Sequence, residues 1–157
     1  MSIESPQATS SPLGPAPEVR RVRDAGELSA ALAVRRRVFC EEQGVPSTDE
    51  LDGRDSEGLH LVALIDDTVV ATCRTIFVGS TAQFSRLAVE KEFRRMGIAT
   101  LLLNQAEVES RAAKARRMVL HAQTYAMDLY ESVGYNSRGS VFRDAGIEHV
   151  AMEKRLA

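Results

Sequence analysis

The stretch Arg94-Arg95-Met96-Gly97-Ile98-Ala99 is the part of the chain best suited to chemistry, because it lies between a run of strand character and the first turn of an apolar-periodic helix. The first N–H groups of a helix have no partner inside it and the dipole there is positive, so such a start attracts an anion, phosphate above all. Gly97 and Ala99 leave room for a bulky phosphate to reach those groups, and Arg94 and Arg95 add charge at the rim. Acidic residues, common in the first turn of an ordinary helix, are absent from Phe93 to Ala106. The pattern is not a Walker loop, since no Gly-Lys-Ser/Thr follows, and it lacks the G-x-G-x-x-G spacing of a dinucleotide site. The residues alone leave two readings open: a phosphate cradle, or a basic turn that joins two elements.

Other reactive side chains are dispersed. Asp49, Asp52, Asp55 and Glu57 form an acidic run, but the calcium-loop spacing is not met, so a solvated loop bordering an acceptor site is expected. Three scattered histidines and two separated cysteines, Cys40 and Cys73, spell no zinc site, and no metal is expected. Glu41, Glu42, His60, His121 and His149 are the candidates for a general base. Each also has an ordinary structural role, a solvated acidic pair or a hydrogen-bonded strand histidine, and the residues alone do not choose among them.

The elements that must position these groups follow from periodicity. Pro6, Pro12, Pro15 and Pro17, interleaved with serines, make residues 1–18 read as a flexible tail and 19–157 as one folded domain. Residues 19–23 suit an edge strand, and Asp24 with Glu27 starts a helix carrying Leu28, Ala31, Leu32, Val38 and Phe39 to about position 39. Residues 40–58 suit an irregular loop or a short helical turn at the surface. Strands are expected at 60–66, 68–77 and 82–89 as a meander, a helix at 98–117, a strand at 118–123, a helix at 124–135 ended by Gly134, and strands at 136–142 and 147–154. A strand, crossover helix and strand over 82–123 is parallel and the flanking hairpins antiparallel, so the fold class is α/β (α+β) with a mixed central sheet flanked by helices. The 157 residues carry 20 Lys plus Arg against 22 Asp plus Glu, which argues against a dedicated nucleic-acid surface. With no membrane-length apolar run and no signal-peptide pattern at MSIESPQATS, a cytoplasmic protein without nucleic-acid or membrane partners is expected.

SRLAVEKEFRRMGIATLLL resembles the strand, pyrophosphate loop and helix of the GNAT superfamily of N-acetyltransferases, whose signature Q/R-x-x-G-x-G/A is matched by Arg94, Gly97 and Ala99. MDLYESVGY is similar to a second superfamily segment, with Tyr130 four residues before Gly134. VFCEEQGVP, LDGRD, LHLVA, LHAQTYAMDLYESVGY and AGIEHVAME resemble the ElaA-type branch, so the likeness covers roughly residues 34–153. It implies a GNAT-like fold and acetyl-CoA as cosubstrate. The pyrophosphate would lie on the backbone of Arg95, Met96, Gly97, Ile98, Ala99 and Thr100 beside Arg94, and the pantetheine along Leu87, Ala88 and Val89 in the manner of an added strand. It gives Tyr130, otherwise a core aromatic beside Met127 and Val133, the role of hydrogen-bonding the departing sulfur; full proton transfer from a phenol to a thiolate is uphill by about 2 kcal/mol. Within the branch motifs, His149 and Glu42 are favoured as the base or the amine-placing group. The expected function is transfer of acetyl from acetyl-CoA to an amine of a small molecule or peptide, directly in a ternary complex, by a monomer or homodimer. The alternative is a non-catalytic CoA-binding module or sensor that uses the same pyrophosphate and pantetheine residues.

Overall fold

Tight left-handed turns join successive strands of the sheet. In the computed structural model, which describes residues 16–157, Asp66 and Asp67 (φ 50° and 63°) connect β2 (Leu59–Ile65) to β3 (Thr68–Val78), and Gly79 begins the turn to β4 (Thr81–Val89). Aspartate tolerates this conformation because its short side chain can satisfy the local backbone. Strand β1 (Glu18–Arg21) pairs with β2 at the edge, so the segment expected as a tail ends before Glu18, and its residues 1–15 lie outside the described residues.

Asp24 caps α1 (Ala25–Arg35), accepting the Glu27 N–H at 2.8 Å, while Glu27 in turn accepts from the Arg23 N–H at 2.8 Å. This is the capping-box-like start anticipated from the sequence, with Glu27 reaching the residue before the N-cap. The helix does not stop near position 39. It widens into a π-helical turn over Arg36–Glu42, closed by the Gln43 N–H on the Val38 carbonyl. A short α2 (Ser47–Glu50) and a 3-10 turn (Asp55–Glu57) follow.

Helix α3 (Ile98–Ala112) is shorter than its expected end at 117. Lys114 turns left-handed (φ 68°), the Ala115 N–H bonds back to the Ser110 carbonyl, and Arg117 already opens β5 (Arg117–Gln123). A 3-10 turn leads to α4 (Met127–Ser132), ended by Gly134 at φ 101°, and a hairpin of β6 (Asn136–Asp144) and β7 (Ile147–Arg155) completes the chain.

The seven strands lie in the order β1-β2-β3-β4-β5-β7-β6, antiparallel except for β4 and β5. The expected mixed sheet is borne out. Alternation along β2 sends Leu61 and Ala63 to the α3 face, where they join Ile98, Leu102 and Met118 in the main core, and Val62 and Leu64 to the opposite face under Ala31 of α1. Helix α1 packs over β2, β3 and β4. Among the described residues no helix is long and apolar enough to cross a membrane.

Candidate active site

Strands β4 and β5 pair only through Thr81–Arg117, Ala82–Met118 and Gln83–Val119, and then diverge. The cause lies in β4. Between the pairs Thr72–Ala88 and Arg74–Ser85, two residues, Arg86 and Leu87, stand opposite Cys73 alone. Arg86 takes the left-handed conformation (φ 58°), and such a bulge bends and twists the strand that carries it. Past the bulge, the Glu90 N–H bonds to Val70 of β3, so the peptide group of Val89 faces the other way, toward the open edge. A cleft of about 790 Å³ fills the divergence.

The unpaired edge runs toward the start of α3. Arg95 (φ 63°) and the N-cap Gly97 (φ 80°) are both left-handed, and the first helical bond is Leu101 N–H to the Gly97 carbonyl. Among the described residues no acceptor meets the N–H groups from Arg95 to Thr100, the first turn carries no acid, and a Cβ at Gly97 would meet nothing within 4 Å. A row of free donors at a positive helix end, with open space in front, fits a diphosphate.

Arg94 is held from two sides. Its Nε donates to the Val89 carbonyl at 2.9 Å, and its two NH₂ groups donate to the Glu42 carboxylate at 2.6 and 2.7 Å. The hydrogen bonds from Arg94 keep the Glu42 carboxyl below the usual range. Glu42 does not line the cleft, and neither do Glu41 and His60; His60 Nε2 lies 2.8 Å from the Asp55 carbonyl. His121 and His149 do line it.

His149 is 9% exposed, and its Nδ1 sits 2.8 Å from the Ile147 carbonyl. A carbonyl only accepts, so the neutral ring carries its hydrogen on Nδ1 and keeps a lone pair on Nε2, which has no partner among the described residues. The Phe142 ring stacks on His149 at 5.8 Å and meets His121 edge-on at 5.0 Å. Tyr130, at the other wall, is buried with its ring edge-on to Tyr135. Its hydroxyl has no hydrogen-bond partner among the described residues. Burial, with smaller contributions from Cys73 and Tyr125, pushes its pKa well above that of an ordinary phenol. Gln43 and Gln123 reach across the cleft and bond reciprocally, at 2.9 and 3.4 Å.

The acidic run is exposed at Asp49 and Glu57, as expected, but Asp52 and Asp55 are ion-paired, together with the neighbouring buried Glu50. Glu50 is 4% exposed, and Glu50, Asp52 and Asp55 alternate with Arg35, Arg74 and Arg86 in a closed ring. Around it run Arg35–Glu50 (2.8 Å), Glu50–Arg86 (3.0 Å), Arg86–Asp52 (3.3 Å), Asp52–Arg74 (2.8 Å), Arg74–Asp55 (3.0 Å) and Asp55–Arg35 (2.7 Å). Every member has two opposite neighbours, which offsets the cost of withdrawing six charges from water. The ring ties the loop after α2 to the bulge of β4 and so shapes one wall of the cleft. Among the described residues no cluster of three or more metal-ligating side chains occurs.

A family model described as an acetyltransferase (GNAT) domain matches residues 30–156. A Bacillus subtilis relative named as an acetyltransferase is 31% identical over 140 residues, covering 87% of this chain and 95% of that protein. The crystal structure of an N-acetyltransferase from Lactobacillus plantarum superposes with a TM-score of 0.83 at 26% identity, covering 91% of this chain and all (100%) of that one. Escherichia coli ElaA superposes with a TM-score of 0.80 at 22% identity, covering 88% of this chain and 99% of its own.

Proposed function

Because the chain belongs to the GNAT acetyltransferase family, whose members use acetyl-CoA for acyl transfer, we propose that it moves an acetyl group from acetyl-CoA to an amine by direct attack in a ternary complex. One observation carries this reading: the unpaired edge of β4 at Leu87 to Val89 leads straight to the free N–H row of Arg95 to Thr100. An extended amide chain ending in a diphosphate is the ligand that such an edge and such a helix start recognise together.

Acetyl-CoA supplies the activated thioester. Leu87, Ala88 and Val89 offer the strand edge to its pantetheine, with the Val89 N–H available to the thioester carbonyl. Met96, Gly97, Ile98, Ala99 and Thr100, with Arg95 at the rim, hold the diphosphate, and Glu42 acts by positioning Arg94. His149 Nε2 takes a proton from the amine. Tyr130, whose raised pKa keeps it protonated, donates a hydrogen bond to the departing sulfur. A covalent route through a cysteine is disfavoured, since burial pushes the thiols of Cys73 and Cys40 up, away from the thiolate form.

The experiment is a titration with CoA and acetyl-CoA, read by calorimetry and by thermal shift. A ligand at 100 times its Kd adds about 2.7 kcal/mol of stability. Absence of binding overturns the proposal.

A further inference from the structure

Charged side chains of both signs line the cleft. Of the acidic and basic side chains that line it, Glu50, Arg54, Arg74, Arg86 and Arg94 are ion-paired within the protein. Arg95, Asp49 and Asp144 have no ion-pair partner among the described residues. Arg95 stands at the bare start of α3. Asp49, on α2, and Asp144, at the β6–β7 turn, are exposed residues of the cleft wall.

The place of Asp144 is fixed by register. Phe142 is the sheet partner of His149, and Asp144 that of Ile147, across a two-residue turn in which Ala145 and Gly146 are left-handed. Asp144 therefore shares a face with Phe142 and His149 and lies diagonal to the histidine, roughly 7–8 Å away between backbones. His149 itself is nine-tenths buried, with Nε2 unpartnered in the cleft.

A carboxylate touching the reacting amine would favour its charged form and hinder the deprotonation that attack requires. The same carboxylate one diagonal away favours a second cation instead. We infer that the acceptor is an aliphatic diamine or longer polyamine, with one nitrogen at His149 and another ammonium on Asp144, Asp49 extending the anionic wall. The inference rests on the acetyltransferase reading and narrows it to a substrate class. The first ammonium gives a proton to His149 Nε2. Its nitrogen then forms the C–N bond as the thioester C–S bond breaks, and the second nitrogen proton ends on the departing sulfur. The products are the monoacetylated diamine and free CoA thiol, with the first proton left on the histidine.

The test follows thiol release from acetyl-CoA with 1,4-diaminobutane, butylamine and 4-aminobutanoate, which share a four-carbon chain and differ in the far group. The expected kcat/KM for the diamine exceeds that for butylamine by about tenfold, the equivalent of one charge-assisted contact, and the amino acid is poorest. Asp144→Asn and Asp49→Asn, checked for folding by CoA titration, should together bring the diamine-to-butylamine ratio to within about threefold. Equal rates with diamine and butylamine overturn the inference. So does a ratio that survives both substitutions, and so does no acceleration by any of the three amines in a protein that binds CoA. Failure to bind CoA overturns the acetyltransferase reading and this inference with it.

Discussion

Glu42 grips Arg94 with both carboxylate oxygens, at 2.6 and 2.7 Å, while Arg94 also reaches the carbonyl of Val89. The end of the π-helical turn thereby fixes the arginine at the tip of the open strand edge. Glu42→Gln should weaken CoA binding by about threefold, the scale of a half-exposed ion pair, and leave kcat within a factor of about two. A large fall in kcat with unchanged CoA affinity would instead make Glu42 the base.

Gly97→Glu places negative charge and a side chain where the N–H row meets open space, in a left-handed conformation that L residues resist. CoA affinity should fall at least 30-fold, about 2 kcal/mol, by calorimetry. Gly97→Asn, which tolerates this conformation without the charge, should lose far less. An unchanged Kd in folded Gly97→Glu would sink the phosphate assignment.

Tyr130→Phe keeps the ring against Tyr135 and removes only the hydroxyl. With the acceptor at saturation, kcat should drop by more than about tenfold, the low end for a group assisting a leaving atom, and the CoA Kd should barely move. Full kcat under conditions where chemistry limits turnover would reduce Tyr130 to packing.

Acid should loosen the arginine ring in a defined window. Hydrogen bonds from Arg74 hold the Asp52 carboxyl far below its ordinary range; at Asp55 burial pushes upward, but Arg35 and Arg74 outweigh it and the net shift is also downward. Groups depressed in the folded state contribute stability that is present above the unfolded pKa, about 3.9, and is lost as pH falls toward the folded values. Urea unfolding should therefore be level from about pH 8 to 5 and weaken steadily below about 4. Asp52→Asn should flatten that acid limb; an unaltered limb would deny the ring its part.

Gly58 packs against the stem of Arg74, and a Cβ there would lie 2.7 and 2.9 Å from its Cγ and Cδ. Gly58→Ala should cost about 1–3 kcal/mol in denaturant unfolding, as overpacking does when a buried side chain must move. A neutral result would show that Arg74 can shift without disturbing its partners.

What could be read from the sequence was local. The helix start at Gly97 announces itself through neighbouring residues, and the crossover from β4 to β5 follows from strand, helix and strand in succession. The ion pairing of the acidic segment was not legible because its cations are far off in sequence: Glu50 meets Arg35 across 15 residues and Arg86 across 36, and Asp52 meets Arg74 across 22. Arg116 and Arg117 fall within the helix expected over 98–117, yet Lys114 turns left-handed and releases them. The π-helical turn has no short-range signature, and the hydrogen on His149 Nδ1 follows from a carbonyl two residues away whose direction the hairpin sets.

The ring of three arginines and three carboxylates has no free end, so exchanging any one member strands two neighbours. Its six positions are energetically coupled, so a change at one is best tolerated with a matching change at its partner, such as Arg74 together with Asp52. A variant without the ring would have to anchor the loop after α2 by other means and would thereby reshape that wall of the cleft. Because the start of α3, where the diphosphate is proposed to bind, has none of its residues in that ring, a change to the ring would alter the cleft wall while leaving the proposed cofactor site untouched.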